Sequence, residues 1–83
     1  MAEQIQDLTG LVDCVVRPLV DHEEDLVITS HDEDGTTVIE ISVNEEDTGK
    51  VIGRQGRVIK SVRTLARAAA SRNDMQVEVE ILD

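Results

Sequence analysis

The sequence predicts a single α+β domain, residues 1–83, whose elements follow the order α-β-β-α-α-β. Two segments repeat apolar residues at three- and four-residue steps, as amphipathic helices do, and three segments alternate apolar with polar residues, as half-buried strands do. Length also favours one domain, because 83 residues leave room for one hydrophobic core. With 40% hydrophobic residues and no aromatic ones, that core must be largely aliphatic.

The first helix is expected over residues 5–20. Its apolar face comprises Ile5, Leu8, Val12, Val15, Val16 and Leu19. Because proline lacks a backbone N–H and restricts the residue before it, Pro18 should kink this helix or end it just before that position. Cys14 lies on the polar side of the helix and is the only cysteine, so we expect an exposed thiol outside any disulfide.

Three strands are predicted from β-branched and alternating runs. Residues 26–30 and 37–43 flank a polar turn at 32–35 that contains a glycine, which predicts a hairpin. Residues 76–81 repeat the alternation and supply the third strand, with Val77, Val79 and Ile81 on its apolar side.

Two helical segments are predicted between the second and third strands. Asn44 should cap the first, which begins with three acidic residues in the favourable field of its first turn and runs to about Ile52. Residues 53–56 interrupt the helix, and a second one should run from Arg57 to about Arg72. Its predicted apolar face comprises Val58, Ile59, Val62, Leu65, Ala66 and Ala69.

Charge is segregated along the chain. The net charge of −10 arises from 8 basic and 18 acidic residues, but residues 48–73 hold seven of the basic ones and no acid. That segment has a net charge of +7, and the rest of the chain has a net charge of −17. On a helical wheel the basic residues of the long helix lie opposite its apolar face; they are Arg57, Lys60, Arg63 and Arg67. This pattern suits a polyanion, although an ordinary solvated helix face has the same pattern.

Two glycines bracket a basic tetrapeptide, Gly53-Arg54-Gln55-Gly56, between these helices. Glycine lets a phosphate backbone approach without a Cβ clash, and the amides at the start of the next helix point towards such an anion. Because the chain has no Phe, Tyr or Trp, it cannot stack bases on rings as RRM, cold-shock and OB-type domains do. Any nucleic-acid contact must therefore use the backbone and aliphatic side chains.

Other site motifs do not fit the sequence. A phosphate-binding P-loop at Gly49-Lys50 would need glycine where Asn44 stands and Ser or Thr where Val51 stands. The hairpin turn lacks the final acid of a calcium loop, and His22 and His31 lack metal-ligand spacing. We therefore predict no metal, no cofactor and no catalytic residues, so the protein is not expected to be an enzyme.

Residues 49–60, GKVIGRQGRVIK, resemble the signature of the KH domain, whose GXXG loop grips single-stranded nucleic acid. In length and element order the whole chain resembles the small bacterial single-KH proteins of the KhpA family. Two further stretches share in this resemblance, Arg63-Thr64-Leu65 and Ala68-Ala69-Ala70. The resemblance implies a type II KH arrangement: a three-stranded mixed sheet, its third strand parallel to the second, with the helices packed on one face. A right-handed crossover through the two helices agrees with this arrangement.

The resemblance also implies which residues bind RNA. The loop residues would contact the sugar-phosphate backbone and three cations would flank them; the set is Gly53, Arg54, Gln55, Gly56, Lys50, Arg57 and Lys60. About four unstacked bases would lie over an aliphatic groove beside the loop. The acidic remainder should confine binding to this face and make it salt-sensitive, with log K falling at a slope of roughly −3 against log salt. High internal salt in the organism would explain the acidity equally well.

The implied role is that of a non-catalytic RNA chaperone or post-transcriptional regulator. The family implies a homodimer or a heterodimer with a KhpB-like KH protein, and a link to cell shape, cell wall and division. Ala68-Ala69-Ala70 would expose short side chains for such pairing. The sequence shows no signal peptide and no run of 18 apolar residues, which favours a cytoplasmic location without a membrane partner. The net charge leaves an alternative open, a KH-fold interaction module with little RNA affinity. An enzyme acting on a phosphorylated small molecule is disfavoured because no acid-base pair is placed for it.

Overall fold

The computed structural model describes residues 3–82, and side chains from residue 8 onwards. The helices are α1 (Glu3–Val16), α2 (Thr48–Ile52) and α3 (Arg57–Ser71), and the strands are β1 (Val27–Glu33), β2 (Thr36–Ser42) and β3 (Gln76–Leu82). Their order along the chain confirms the predicted α-β-β-α-α-β sequence. The predicted place of Ile5 on the apolar face lies outside the residues whose side chains are described.

The sheet has the strand order β1-β2-β3, with β1 antiparallel and β3 parallel to β2. It is therefore the mixed sheet that was expected. Ile39 and Ile41 of the central strand are fully buried, and they belong to one cluster with Val77 and Val79 of β3. Helical side chains complete this cluster, so the core lies between one face of the sheet and the helices.

The hairpin between β1 and β2 is tighter than predicted. Its turn consists of Asp34 and Gly35, which have φ angles of 52° and 86°, as a two-residue type I′ turn requires. The strands consequently pair up to Glu33 and Thr36, so the predicted turn at 32–35 was too long. Leu26 precedes β1 and is buried there.

Helix α1 ends at Val16, and Arg17–Leu19 continue as a single 3-10 turn containing Pro18. The expected stop before the proline is confirmed. Because the chain changes direction there, Leu19 is 37% exposed and Val20 is buried instead, so Leu19 was wrongly assigned to the apolar face. Cys14 is exposed, as predicted.

The buried stripe of α3 is narrower than predicted and comprises Ile59, Val62, Ala66 and Ala70. Leu65 lies roughly 100° round the helix from the centre of this stripe and is 46% exposed, so its assignment to the core was wrong. Ala70 is buried, which corrects the expectation that the whole alanine run is exposed; only Ala68 is fully exposed and Ala69 is half-buried. No helix within residues 3–82 combines the length and the apolarity that crossing a bilayer demands.

Candidate nucleic-acid interface

A single 3-10 turn, Arg54–Gly56, joins α2 to α3. Three of the four loop residues have positive φ, at 79° for Gly53, 59° for Gln55 and 74° for Gly56. The Gly53 N–H donates to the Gly49 carbonyl at 2.8 Å and ends α2, and the Gly56 N–H donates to the Gly53 carbonyl at 3.1 Å. These two bonds fix the loop while its Arg54 and Gln55 side chains stay exposed.

The two glycines are required for different reasons. A Cβ on Gly53 would lie 2.4 Å from Cγ2, 2.8 Å from Cβ and 2.8 Å from the backbone nitrogen of Val58. Glycine at this position therefore allows the loop to pack directly on the first turn of α3. A Cβ on Gly56 would meet no atom within 4 Å, so that site demands glycine only through its left-handed backbone.

Four cations at and beyond the loop have no acidic partner among the described side chains. Arg54, Arg57, Lys60 and Arg67 are all exposed, and none forms an ion pair with a described carboxylate. A molecule with a net charge of −10 thus keeps uncompensated positive charge at the loop and along the exposed side of α3. Such a patch attracts polyanions even where the total charge repels them.

The start of α3 adds a favourable field for an anion. The helix begins after Gly56 with no side-chain cap and no acidic residue in its first turn, so the positive end of its dipole is left uncompensated. The turn Glu45–Asp47 before α2 has the opposite character, because Asn44 caps it and three acids fill it. Asn44 is a cap as predicted, but of this 3-10 turn, since α2 itself starts at Thr48 after Asp47, which makes no side-chain cap bond.

Lys50 lies near the loop but is paired. Its ammonium contacts the Asp21 carboxylate directly and lies 3.6 Å from Oδ1 of Asp47. The hydrogen bond with Asp21 has the largest effect and raises the pKa of Lys50; burial opposes it, and the charges of Asp21 and Asp47 reinforce it. Of the seven residues predicted to bind RNA, Lys50 is the one whose charge is already balanced.

Asp47 is fully buried and connects the segment before β1 to the start of α2. Its Oδ1 accepts from the Asp21 N–H at 3.1 Å and its Oδ2 from the His22 N–H at 3.0 Å. Burial alone would raise the pKa of Asp47, but the two N–H donors and the charges of His22 and Lys50 lower it overall. No sequence pattern indicates this role, because Asp47 is simply the last of three adjacent acids.

Arg63 departs from the predicted basic stripe. Its Nε donates to the Val79 carbonyl at 3.1 Å, on the edge strand β3. Arg63 is half-buried, unlike Lys60 and Arg67 on the same helix. Its guanidinium therefore satisfies a strand-edge carbonyl, and the free basic surface of α3 is formed by the other residues.

Aliphatic surface lies directly beside the loop. Ile52, which precedes Gly53, is 37% exposed, and Val58, which packs under Gly53, is half-buried.

Away from the loop, three possible metal ligands, His22, Glu24 and Asp25, have ligand atoms within 4.8 Å of one another. Nε2 of His22 lies 2.9 Å from Glu46, and this group shares no residue with the loop.

A three-stranded mixed sheet in this order, with a glycine-bracketed turn between two consecutive helices, defines a KH-type fold in the type II arrangement. The family described as KhpA/KhpB, KH domain, matches residues 9–81. The chain therefore belongs to the KhpA/KhpB KH-domain family.

Proteins named RNA-binding protein KhpA are similar over most of the chain. The one from Listeria monocytogenes is 47% identical over 73 residues, covering 88% of this chain and 96% of that protein. The one from Bacillus subtilis is 41% identical over 78 residues, covering 94% of this chain and 96% of that protein. A crystal structure of a point variant of Aquifex aeolicus Era bound to GDP and aluminium fluoride is similar in fold, with a TM-score of 0.62 and 19% identity. That likeness covers 98% of this chain but 30% of the Era chain.

Proposed function

We propose that this protein binds single-stranded RNA without catalysing a reaction, gripping the sugar-phosphate backbone at Gly53–Gly56. The observation that carries the proposal is the exposed turn at the uncapped start of α3, surrounded by cations that have no described acidic partner. The relatives in Listeria monocytogenes and Bacillus subtilis, each named an RNA-binding protein, support it.

Each part of the loop has a separate task in this proposal. Gly53 lets the loop pack on Val58 and Gly56 keeps the backbone open to a phosphate, while Arg54, Arg57 and Lys60 supply positive charge around it. Bases leave the backbone towards Ile52 and Val58, where they are read by van der Waals contact and by hydrogen bonds to their edges. Lys50 supplies a further positive charge to the phosphate once its ion pair with Asp21 is broken.

The biological role proposed here follows the family resemblance. The protein would act as an RNA chaperone or post-transcriptional regulator, linked to cell shape, cell wall and division, as a homodimer or with a KhpB-like partner. The exposed Leu65 and Ala68 of α3 offer small and aliphatic surface for such pairing. A cytoplasmic location fits a binder of RNA whose single exposed thiol, Cys14, has no disulfide partner in the chain.

A second candidate function is an interaction module with little RNA affinity. The sheet face turned away from the helices favours it, because Glu40 pairs in register with Glu80 and the neighbouring Glu78 is also exposed. These neighbouring like charges repel RNA from the β2–β3 side of that face. In this case a partner protein would copurify and short single-stranded RNA would not bind even at low salt.

Crosslinking of RNA to the protein in cells tests the proposal. The variant carries Arg54→Asp and Gln55→Asp, and the matched control carries the same change of charge at the far end of α3, Arg72→Asp and Asn73→Asp. We expect the loop variant to lose crosslinked RNA and the control to retain most of it, with both showing the wild-type circular dichroism spectrum. Equal crosslinking by the wild type and a folded loop variant would reject the site.

A further inference from the structure

One cation of the proposed interface is held by an acidic residue from another part of the chain. Lys50 lies in the last turn of α2, three residues before Gly53. Its ammonium contacts Oδ2 of Asp21, a residue 29 positions earlier in the sequence. The Asp21 side chain is 72% exposed and the Lys50 side chain 46%, so water and ions reach the pair.

The position of Asp21 is fixed by a buried group. Its backbone N–H donates to the carboxylate of Asp47 at 3.1 Å, and the next N–H, from His22, donates to the other oxygen of that carboxylate at 3.0 Å. Because Asp47 is fully buried, this contact fixes the backbone of Asp21 beside α2. The exposed carboxylate of Asp21 can still rotate away from Lys50.

The geometry points to Asp21 as a residue that limits RNA binding. Its carboxylate is paired with the Lys50 ammonium, and an RNA phosphate must displace that carboxylate before it can contact the ammonium. The inference rests on the proposed function of the loop. It separates Lys50 from Arg54, Arg57 and Lys60, which have no described acidic partner and are available at once. Asp21 thereby sets the affinity on the α2 side of the loop, without touching the RNA itself.

The expected effect is modest because exposed ion pairs are weak. Asp21→Asn leaves Lys50 with one carboxylate neighbour among the described side chains, Asp47 at 3.6 Å, and should strengthen RNA binding roughly two- to fivefold at low salt. One additional phosphate contact should also steepen the dependence of log K on log salt by about 0.7. The change of slope separates a new contact from a general reduction of negative charge.

The test is a titration of a fluorescent 12-nucleotide single-stranded RNA by anisotropy, at several salt concentrations. The variants are Asp21→Asn, Lys50→Gln and the two combined, with Asp32→Asn as the control that removes one negative charge from the distant hairpin. We expect Asp21→Asn to bind more tightly than Asp32→Asn, and to give no more than the gain of Asp32→Asn when Lys50→Gln is also present.

Two outcomes would overturn the inference. One is equal affinity of the Asp21→Asn and Asp32→Asn variants; the other is a gain from Asp21→Asn, beyond that of Asp32→Asn, that persists beside Lys50→Gln. Either leaves the proposed function standing if the wild type binds and the Arg54→Asp, Gln55→Asp variant does not. Absence of binding by the wild type and by every variant would reject the proposed function, and the inference with it.

Discussion

Gly53 packs against Val58 so closely that a Cβ on the glycine would lie 2.4 Å from Cγ2 and 2.8 Å from the backbone nitrogen of that valine. The side-chain atom could move, but the backbone nitrogen belongs to the first turn of α3. The start of this helix is therefore coupled to the conformation of the loop.

This contact predicts unequal effects of alanine at the two glycines. Gly53→Ala must displace the first turn of α3, so we expect a clear fall in stability together with loss of RNA binding. Gly56→Ala meets open space and costs only the left-handed backbone strain, about 1 kcal/mol. Urea denaturation of both variants checks the order, with Gly56→Asn as a control that tolerates positive φ. Equal losses at both sites would show that the Val58 contact is unimportant.

Substitution of Arg63 should lower the stability of the fold, whereas substitution of Arg67 should lower the affinity for RNA. Arg63→Met removes the hydrogen bond to the Val79 carbonyl, and we expect a loss of about 0.5–1.5 kcal/mol in the free energy of unfolding with little change in RNA affinity. Arg67→Met removes an exposed cation, so RNA affinity should fall while stability stays nearly constant. Urea denaturation and anisotropy titration of the matched pair test this. The reverse result would place Arg63 in the interface.

Asp47→Asn should destabilise the fold although it preserves the size of the side chain. An amide offers one acceptor oxygen, so one of the N–H groups of Asp21 and His22 would face an NH2 group and lose its partner. We expect the Tm to fall by about 5 °C or more. Glu45→Gln, which removes the same charge from an exposed side chain nearby, is the control. An unchanged Tm for Asp47→Asn would contradict the role of Asp47 as the link to α2.

Stability should fall as the pH rises from about 6.5 through the folded pKa values of the two histidines. The hydrogen bond to Glu46, opposed by burial and reinforced by nearby acids, raises the pKa of His22, and the contact with Glu33 similarly raises that of His31. A raised folded pKa contributes stability that is complete below the unfolded value of 6.5 and disappears as the pH passes the folded pKa.

Unfolding measured between pH 6 and pH 9 checks this effect. The free energy of unfolding should decrease across this range in the wild type, and His22→Gln together with His31→Gln should flatten the decrease. A wild-type profile that rises with pH would mean that neither histidine is stabilised in its charged form.

Features controlled by local sequence were predictable. Pro18 ends α1 because proline lacks an N–H wherever it occurs, and Asn44 caps its turn by a bond to Glu46 two residues away. The glycine-bracketed loop was likewise recognisable, because glycine takes positive φ at the least cost, and both Gly53 and Gly56 have positive φ. The element order and the mixed sheet followed from such local patterns together with the family resemblance.

Features that depend on distant residues were not predictable. The pairing of Lys50 with Asp21 and the bond from Arg63 to Val79 join residues 29 and 16 positions apart, and helical periodicity contains no information about either. The burial of Leu65 was likewise not predictable. Helical periodicity placed Leu65 on the apolar side of α3, but the buried stripe is narrower and leaves Leu65 exposed. The charge pattern thus located the basic region correctly, while the tertiary structure decided which cations are free.

RNA binding at Gly53–Gly56 is tested most directly by titrating the isotope-labelled protein with short single-stranded RNA and following its amide chemical shifts. Binding at the turn predicts the largest changes at residues 53–57, small changes around Glu40 and Glu80 on the outer sheet face, and an affinity that falls with a salt slope of roughly −3. Shifts confined to the sheet face or to the far end of α3, with residues 53–57 unchanged at saturating RNA, would contradict it.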